Sequence, residues 1–320
     1  MPSTIELNQA DPLVGTVADT VPCIDAADLL SGDRQSLAET VRAACLETGF
    51  FYVDVTAEQR VKIAATLSQM ERFFALADTD ERKQGVRQDD SGFGWVPKYT
   101  EPAYQPDTVS SLEAFEFGLE NVKGTIDGWP EMPHFRNDVN ECWDALVDLG
   151  EGILDLLGRA ARIDANYFVE RCNSKLLNTM RLLHYAEAAT QIDDRAVGIA
   201  AHTDFECMTL LYQTAPGLEL LNVDGGWLDA PAREGRIVVL LGDMLERWTN
   251  GFFKATGHRV RNTDEQRLSI VMFLAANNDM EIAPLPDFVS ADRPANYAPI
   301  SQAQHINNEL KRSIDNVSAK

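Results

Sequence analysis

The sequence has no hydrophobic run long enough to span a bilayer, and its first residues lack the basic and then apolar pattern of a secretion signal. It also contains no repeat of fixed period and no low-complexity segment. Its five cysteines stand singly, without a CxxC pair, which argues against both a disulfide framework and a cysteine zinc site. Together these absences predict a cytoplasmic globular protein with reduced, mostly buried thiols.

Positive charge is scarce as well. The chain has 28 lysines and arginines against 50 aspartates and glutamates, which gives a formal net charge of -22 over 320 residues. A surface of this sign repels phosphate backbones and anionic membranes, so we expect neither nucleic acid nor a membrane as a partner. No feature of the sequence indicates an obligate protein partner.

The first half of the chain combines helical patterns with a few strand patterns. "SLAETVRAACLETG" predicts a helix opened by a capping box of Ser36 and Glu39, and "TAEQRVKIAATLSQMERFFAL" predicts a second helix opened by Thr56 and Gln59. "FFYVDV" and "LEAFEFGL" predict strands, and a long helical pattern covers residues 137–162.

After Leu176 the sequence changes to closely spaced strand patterns separated by turn signals. The strand candidates are LLNTMRLLHY, CMTLLYQ, LELLNV, WLDAP, RIVVLLGDM, FKATGHRV and RLSIVMFLAA. Many short strands at even spacing are typical of a sandwich or barrel. We therefore predict a mixed α and β fold around a β core. The predicted division is a loose lead-in at 1–20, an N-terminal region at 21–135, a helical support at 136–175, the β core at 176–290 and a C-terminal helix at 291–320.

A histidine and an aspartate stand two positions apart in "AAHTDFECMTLLYQ", directly before an apolar strand. Side chains at i and i+2 of a strand point to one face, so we expect His202 and Asp204 to converge. His258 lies in a strand candidate of the β core, whereas His134 and His305 are expected to be solvated. Two imidazoles and one carboxylate suit the half-open shell of a non-haem Fe(II) oxygenase, and a zinc hydrolase could use the same groups. A hydrogen-bonded core histidine is the alternative interpretation of His258.

A second polar pair lies in "RLSIVMFLAA", where Arg267 and Ser269 share one face of a strand with apolar neighbours. An arginine pointing into a barrel needs a carboxylate partner, and its planar fork beside a hydroxyl suits the end carboxylate of a small dicarboxylic acid. An internal ion pair with a protein carboxylate is the alternative. In "RLLHYAE" the same spacing puts Arg181 and Tyr185 on one face and His184 on the other, so the Tyr185 phenol can reach the same anion.

Nearly the whole chain resembles the isopenicillin N synthase-like family of Fe(II)/2-oxoglutarate-dependent dioxygenases. The similar segments are VPCIDAADLL, TGFFYV, ERFFAL, GFGWVP, LEAFEFG, GWPEMPHFR, AAHTD, GLELLNVDGGWLDAP, GDMLERWTNGFFKATGHRV, RLSIVMF and PLPDFVSADRPANYAPI. The spacing from His202-x-Asp204 to His258 and on to Arg267-x-Ser269 is that of the family.

The resemblance implies a jelly-roll, or double-stranded β-helix, core wrapped by helices and an N-terminal α/β segment. It implies Fe(II) on His202, Asp204 and His258, which would form the catalytic centre, and the distal carboxylate of 2-oxoglutarate on Arg267 and Ser269. With dioxygen, oxidative decarboxylation to succinate and CO2 would drive oxidation, most simply hydroxylation, of an unactivated C–H bond in a small-molecule substrate.

One position departs from the family pattern. The resemblance implies that Tyr185 also contacts 2-oxoglutarate, but the family's Asn-x-Tyr-Pro run is replaced here by Leu183-His184-Tyr185-Ala186. Phe273 follows Ser269 at a same-face position and is expected to line the substrate pocket. The further pocket candidates are Arg181, which could pair with a substrate carboxylate, and Phe115, Phe117 and Trp95, each of these aromatic residues having plain core packing as its alternative.

Three other functions are compatible with the same residues. An Fe(II) oxidase of this fold that takes no 2-oxoglutarate, like isopenicillin N synthase, would use the arginine and serine to hold a substrate carboxylate during ring closure or desaturation. A non-catalytic binding protein would keep the barrel without the metal, although all three ligand positions are intact here. A zinc hydrolase would be active without dioxygen.

Overall fold

Most of the strand patterns of the second half lie in two main β-sheets of the computed structural model, which describes residues 7, 11–18, 21–89, 92–101, 104–125, 127–187 and 195–318. The strands are β1 (Leu13–Thr16), β2 (Cys23–Asp25), β3 (Phe50–Asp54), β4 (Gly94–Val96), β5 (Val109–Ser110), β6 (Glu113–Gly118), β7 (Thr179–Tyr185), β8 (Ala196–Val197), β9 (Ile199–His202), β10 (Met208–Gln213), β11 (Leu218–Leu221), β12 (Trp227–Asp229), β13 (Arg236–Leu241), β14 (His258–Val260), β15 (Arg267–Leu274), β16 (Glu281–Ile282) and β17 (Ile300–Ser301). The helices are α1 (Asp28–Ser31), α2 (Arg34–Glu47), α3 (Ala57–Phe74), α4 (Glu81–Gln84), α5 (Leu119–Lys123), α6 (Phe135–Ala160), α7 (Tyr167–Arg171), α8 (Asp243–Trp248) and α9 (Gln302–Ser318).

The two main sheets differ in size. The larger sheet has eight strands in the order β2-β3-β13-β10-β15-β7-β6-β4, and the smaller has five in the order β1-β12-β11-β14-β9. Within these two sheets, neighbouring strands are antiparallel except for β1 with β12 and β2 with β3. The predicted mixed α and β fold with a jelly-roll core is confirmed. Four strands from the first half of the chain, β2, β3, β4 and β6, complete the larger sheet, so the N-terminal region and the β core share one layer.

The larger sheet is buried on both faces because helices cover its outer face and the smaller sheet covers its inner face. On β7, Met180 and Leu182 belong to the outer core together with side chains of α2, α3 and α6. Leu183 and Tyr185 belong to the inner core together with side chains of the smaller sheet. Each fully buried large apolar side chain contributes about 1.5–3 kcal/mol to stability. The alternation along each central strand therefore decides which side chains reach the space between the sheets.

The helix starts test the capping predictions. At α3, the Thr56 hydroxyl accepts from the Gln59 N–H and the Gln59 side chain accepts from the Thr56 N–H, so this capping box is confirmed. The predicted capping box at Ser36 is wrong, because α2 begins earlier and the Asp33 carboxylate accepts from the N–H groups of Gln35 and Ser36. An aspartate at this position also complements the helix dipole.

The remaining sequence predictions on cysteines, membrane segments and histidines have mixed outcomes. None of the five cysteines forms a disulfide, and all but Cys23 are buried. Within the described ranges, no helix has both the length and the apolar content that crossing a membrane requires. His134 is exposed as expected. The expectation that His305 is solvated is wrong, because it lies on the buried face of α9 with its Nε2 atom 2.7 Å from Oδ2 of Asp243.

Candidate active site

Three predicted ligand residues meet at one end of the space between the sheets. His202 ends β9 and lies opposite His258 on the neighbouring strand β14, so that their ring centroids are 4.2 Å apart. Oδ1 of Asp204 lies 3.6 Å from Nε2 of His202 and 3.5 Å from Nε2 of His258. One ligand atom from each residue lies within 4.8 Å of the other two, which is close enough to share a metal ion.

The route by which the three side chains converge differs from the prediction. We expected His202 and Asp204 to share one face of a single strand, but β9 ends at His202 and Asp204 lies in the segment that follows. The backbone N–H of Asp243 donates to the carbonyl of Asp204 at 2.9 Å, and the Thr209 hydroxyl donates to its Oδ2 atom. These bonds orient the remaining carboxylate oxygen toward the two imidazoles.

Backbone carbonyls orient both imidazole rings. Nδ1 of His202 lies 2.8 Å from the carbonyl of Ala200, and Nδ1 of His258 lies 3.1 Å from the carbonyl of Thr256. A carbonyl only accepts, so each Nδ1 carries the proton and each Nε2 keeps a lone pair for a metal. Burial, with a smaller contribution from the neighbouring His258, holds the pKa of His202 well below its usual value, which keeps this ring neutral as a metal ligand must be. Burial raises the pKa of Asp204, and a bound divalent cation would favour its ionised form.

Arg267 and Tyr185 are directly opposite each other on β15 and β7, deeper between the sheets. The guanidinium lies 4.6 Å from the centre of the Tyr185 ring, and its Nε and Nη2 atoms donate to Oε1 of Gln213 at 3.2 and 2.9 Å. Its Nη1 atom is buried with no hydrogen-bond partner, and none of the ion pairs among the described residues includes Arg267. The internal ion pair considered as an alternative is therefore absent from the described part of the chain. Ser269 is fully buried on the same strand face, and its hydroxyl donates to the carbonyl of Tyr212 at 2.8 Å.

A cavity of about 440 Å³ extends from the histidine–aspartate cluster to Tyr185, whereas Arg267 and Ser269 are not among the residues that line it. Tyr185, Phe273 and Arg181 line it, each from a face of β7 or β15 that carries polar residues. Much of the remaining lining is apolar and includes Phe93, Val96, Leu176, Leu183, Ile199, Leu211, Val271, Ile306 and Leu310. A volume of this size is within the range of small-molecule sites.

Three predicted pocket residues lie elsewhere. Phe115, Phe117 and Trp95 are buried in the outer core between the larger sheet and the helices, and they do not line the cavity. On β6 the residue that faces inward is Glu116, which lies between the two phenylalanines in sequence. Because side chains alternate along a strand, the two aromatic rings and Glu116 point to opposite faces.

Sequence reasoning missed the acidic residues around Arg181. Its Nη1 atom lies 2.9 Å from Oε1 of Glu101, and its Nε atom lies 3.1 Å from Oε2 of Glu116. Glu116 could have been found from the sequence, because it is a charged side chain in a strand with an alternating pattern. In the structure it lies directly opposite Arg181 on β7. Glu101 and Tyr104 come from an irregular segment without periodicity, and the Tyr104 ring stacks on His202 with centroids 4.4 Å apart.

Two family models match the chain. Residues 177–276 match the 2OG-Fe(II) oxygenase superfamily, and residues 21–134 match the N-terminal family described as non-haem dioxygenase in morphine synthesis. The first segment contains the three candidate metal ligands and the Arg267–Ser269 pair.

Curated relatives and solved structures are similar over most of their length. The 2-oxoglutarate-dependent dioxygenase citB of Monascus ruber is 31% identical over 297 residues, which cover 83% of this chain and 87% of the relative. The 2-oxoglutarate-dependent dioxygenase tropC of Talaromyces stipitatus is 29% identical, with 92% and 96% covered. A full-length Neurospora crassa protein, crystallised in complex with alpha-KG and thymine, superposes with a TM-score of 0.80 at 25% identity, covering 92% of this chain and 97% of that one.

Proposed function

The chain belongs to the 2OG-Fe(II) oxygenase superfamily, and we propose that His202, Asp204 and His258 hold the Fe(II) ion of this non-haem dioxygenase. The donor set fits the ion, because two neutral imidazoles and one carboxylate form the facial triad of non-haem iron oxygenases and leave further positions open. The carbonyls that fix both Nδ1 protons support the same assignment, since they leave both Nε2 atoms available at Asp204.

The observation that carries the proposal for 2-oxoglutarate is that the Nη1 atom of Arg267 has no hydrogen-bond partner among the residues that the structure describes. A buried guanidinium without a carboxylate is costly, and the distal carboxylate of 2-oxoglutarate would supply the missing acceptor. Tyr185 lies on the same side and would donate its phenol to that carboxylate, and Ser269 would donate to it by turning its hydroxyl away from the carbonyl of Tyr212. The Arg267 guanidinium is buried and cationic, and Tyr185, whose ring lies against it, lines the cavity that reaches the triad.

His202, Asp204 and His258 would hold Fe(II), which with 2-oxoglutarate and dioxygen would supply hydroxylation of a substrate C–H bond and release succinate and CO2. The chain's own residues hold and orient the reactants. The stacked Tyr104 ring covers one side of His202, and the apolar lining keeps water away from the reacting position. Phe273 and Leu211 line the space in which we propose that the small-molecule substrate lies.

Iron binding by His258→Ala tests the assignment, with His134→Ala as the control because His134 is an exposed histidine outside the cavity. Under argon, the wild-type protein and the control should bind one Fe(II) and develop a visible charge-transfer band when 2-oxoglutarate is added. Loss of an outer-shell partner alone costs metal sites about 10- to 100-fold in affinity, so loss of a ligand should cost His258→Ala at least that much and remove the band. Unchanged iron affinity in His258→Ala would contradict the assignment.

We also propose that the enzyme works in the cytoplasm on a free small molecule, without nucleic acid or an obligate protein partner. The five cysteines stand singly in the sequence without a CxxC pair, which supports a reducing compartment. The net charge of -22 disfavours polyanions.

A further inference from the structure

The substrate side of the cavity contains one arginine between two glutamates. Arg181 lies on β7 and contacts Glu101 through Nη1 at 2.9 Å and Glu116 through Nε at 3.1 Å. The Arg181 side chain is 10% exposed, and all three residues line the cavity. The sequence left Arg181 as a candidate partner for a substrate carboxylate, but its charge is already balanced by two carboxylates of the protein.

One carboxylate oxygen of Glu101 can still accept a hydrogen bond. Its side chain is 9% exposed, its Oε1 atom contacts Arg181, and its Oε2 atom is buried without a hydrogen-bond partner among the described residues. A buried carboxylate oxygen without a donor is costly, so a ligand that supplies a donor gains what the free protein lacks. The arginine also fixes the position of Glu101, which means that Oε2 is preorganised for a ligand.

The charge of the cluster restricts what that ligand can be. Two carboxylates against one guanidinium favour a positive or neutral group and disfavour a third carboxylate nearby. The walls next to the cluster are apolar and include Phe93, Val96 and Leu183. Accepting the proposed function, we propose that the substrate is a small, mostly apolar molecule that presents an N–H or O–H donor to Glu101 Oε2, with no carboxylate at that end.

A fragment screen against the full chain, loaded with Fe(II) and 2-oxoglutarate under argon, tests this proposal. The probes are size-matched aromatic sets in which each ring carries a carboxamide, an amidinium, an N,N-dimethylcarboxamide or a carboxylate, and binding is followed by ligand-observed NMR. The carboxamides and amidiniums should bind at least about tenfold more tightly than the dimethylamides and carboxylates. Tighter binding of the amidiniums would identify a cationic substrate. Equal binding of the carboxamides and the amidiniums would identify a neutral substrate. Carboxylates that bind as well as the donors, or donors that show no saturable binding, would overturn the proposal.

Glu101→Gln gives a test with two opposite signs. This variant removes one of the two carboxylates on Arg181, so carboxylate probes should bind better while amidinium probes bind roughly tenfold more weakly. A variant that had merely lost its fold would weaken both classes. Unchanged affinity for both classes would show that Glu101 does not contact the ligand and would overturn the proposal.

The charge-transfer band separates failure of this inference from failure of the proposed function. Glu101 contacts neither the triad nor Arg267 in the described part of the chain. Glu101→Gln should therefore keep the band. If the band forms and the probes ignore Glu101, only the substrate class is wrong. If the wild-type protein never forms the band, the iron and 2-oxoglutarate assignment is wrong instead.

Discussion

Replacing Arg267 by methionine separates a residue kept for binding from one kept for folding. Arg267 is 1% exposed, and burial lowers the pKa of its guanidinium. In the described structure it donates to Gln213 and lies over the Tyr185 ring, but it has no carboxylate partner. Methionine has a similar length, fills space flexibly and carries no charge. Arg267→Met should therefore change 2-oxoglutarate binding far more than stability.

The two free energies can be estimated from the contacts. Without 2-oxoglutarate, the variant leaves Oε1 of Gln213 without its two donors, which lowers stability by about 1–3 kcal/mol. It also loses the cation–π contact with Tyr185, which stabilises the wild-type protein by about 0.5–2 kcal/mol. It gains the relief of a buried unpaired charge, which is worth several kcal/mol. These terms nearly cancel, so the free energy of unfolding should stay within about 2 kcal/mol of wild type. In the complex, the distal carboxylate of 2-oxoglutarate is left buried without its cation. This lowers the binding free energy by about 2–5 kcal/mol, which raises the Kd for 2-oxoglutarate about 30-fold or more.

Denaturant unfolding with and without 2-oxoglutarate measures both quantities. At a ligand concentration of 100 times the wild-type Kd, the wild-type protein should gain about 2.7 kcal/mol. A variant whose Kd is raised 100-fold should gain only about 0.4 kcal/mol at the same concentration. Isothermal titration with 2-oxoglutarate and a redox-inert divalent metal gives the two Kd values directly.

Lys83→Met is the matched control, because Lys83 is a fully buried cation outside the cavity. Its Nζ atom lies 2.8 Å from Oε2 of Glu113, so its loss leaves a buried carboxylate without its cation and should cost about 3–5 kcal/mol. The gain from 2-oxoglutarate should be unchanged in this variant. If Arg267→Met lost as much stability as Lys83→Met, or kept the wild-type Kd, Arg267 would be a structural residue and the reasoning would fail.

Two further predictions concern the outer core. Burial raises the pKa of Glu113, but hydrogen bonds from His184, Lys83 and Trp95 outweigh it and hold the pKa below its usual value. Glu113 therefore stabilises the fold at pH values above its unfolded pKa of about 4.3, and this contribution is lost as the pH falls through the folded pKa. When urea denaturation is measured from pH 6 to 3, the free energy of unfolding of Glu113→Gln should fall less than that of the wild type. Phe117→Ala should lower the free energy of unfolding by about 3–5 kcal/mol and leave the affinities for the fragment probes unchanged. Phe273→Ala should lower the free energy of unfolding by less and should alter those affinities. The reverse pattern would show that Phe117 lines the substrate pocket.

Strand alternation indicated which side chains face the site only on strands whose polar residues distinguish the two faces. On β7 and β15 the polar residues Arg181, Tyr185, Arg267 and Ser269 mark one face, and the structure directs Arg181, Tyr185 and Phe273 to the cavity. On β6 both faces are buried, one under helices and one at the cavity, so alternation alone could not tell which face was which. The two phenylalanines there were therefore assigned to the wrong side.

The two arginines look alike in the sequence, because each lies on a central strand of the larger sheet with apolar neighbours. What separates them is Glu101, which reaches Arg181 from an irregular segment about 80 positions earlier, where no period predicts its direction. Arg181 has two carboxylates and Arg267 has none among the described residues. The capacity to bind an anion is therefore concentrated at Arg267, where the co-substrate's carboxylate would bind. On the proposal made above, a substrate beside Arg181 would therefore be selected by acceptors rather than by a cation.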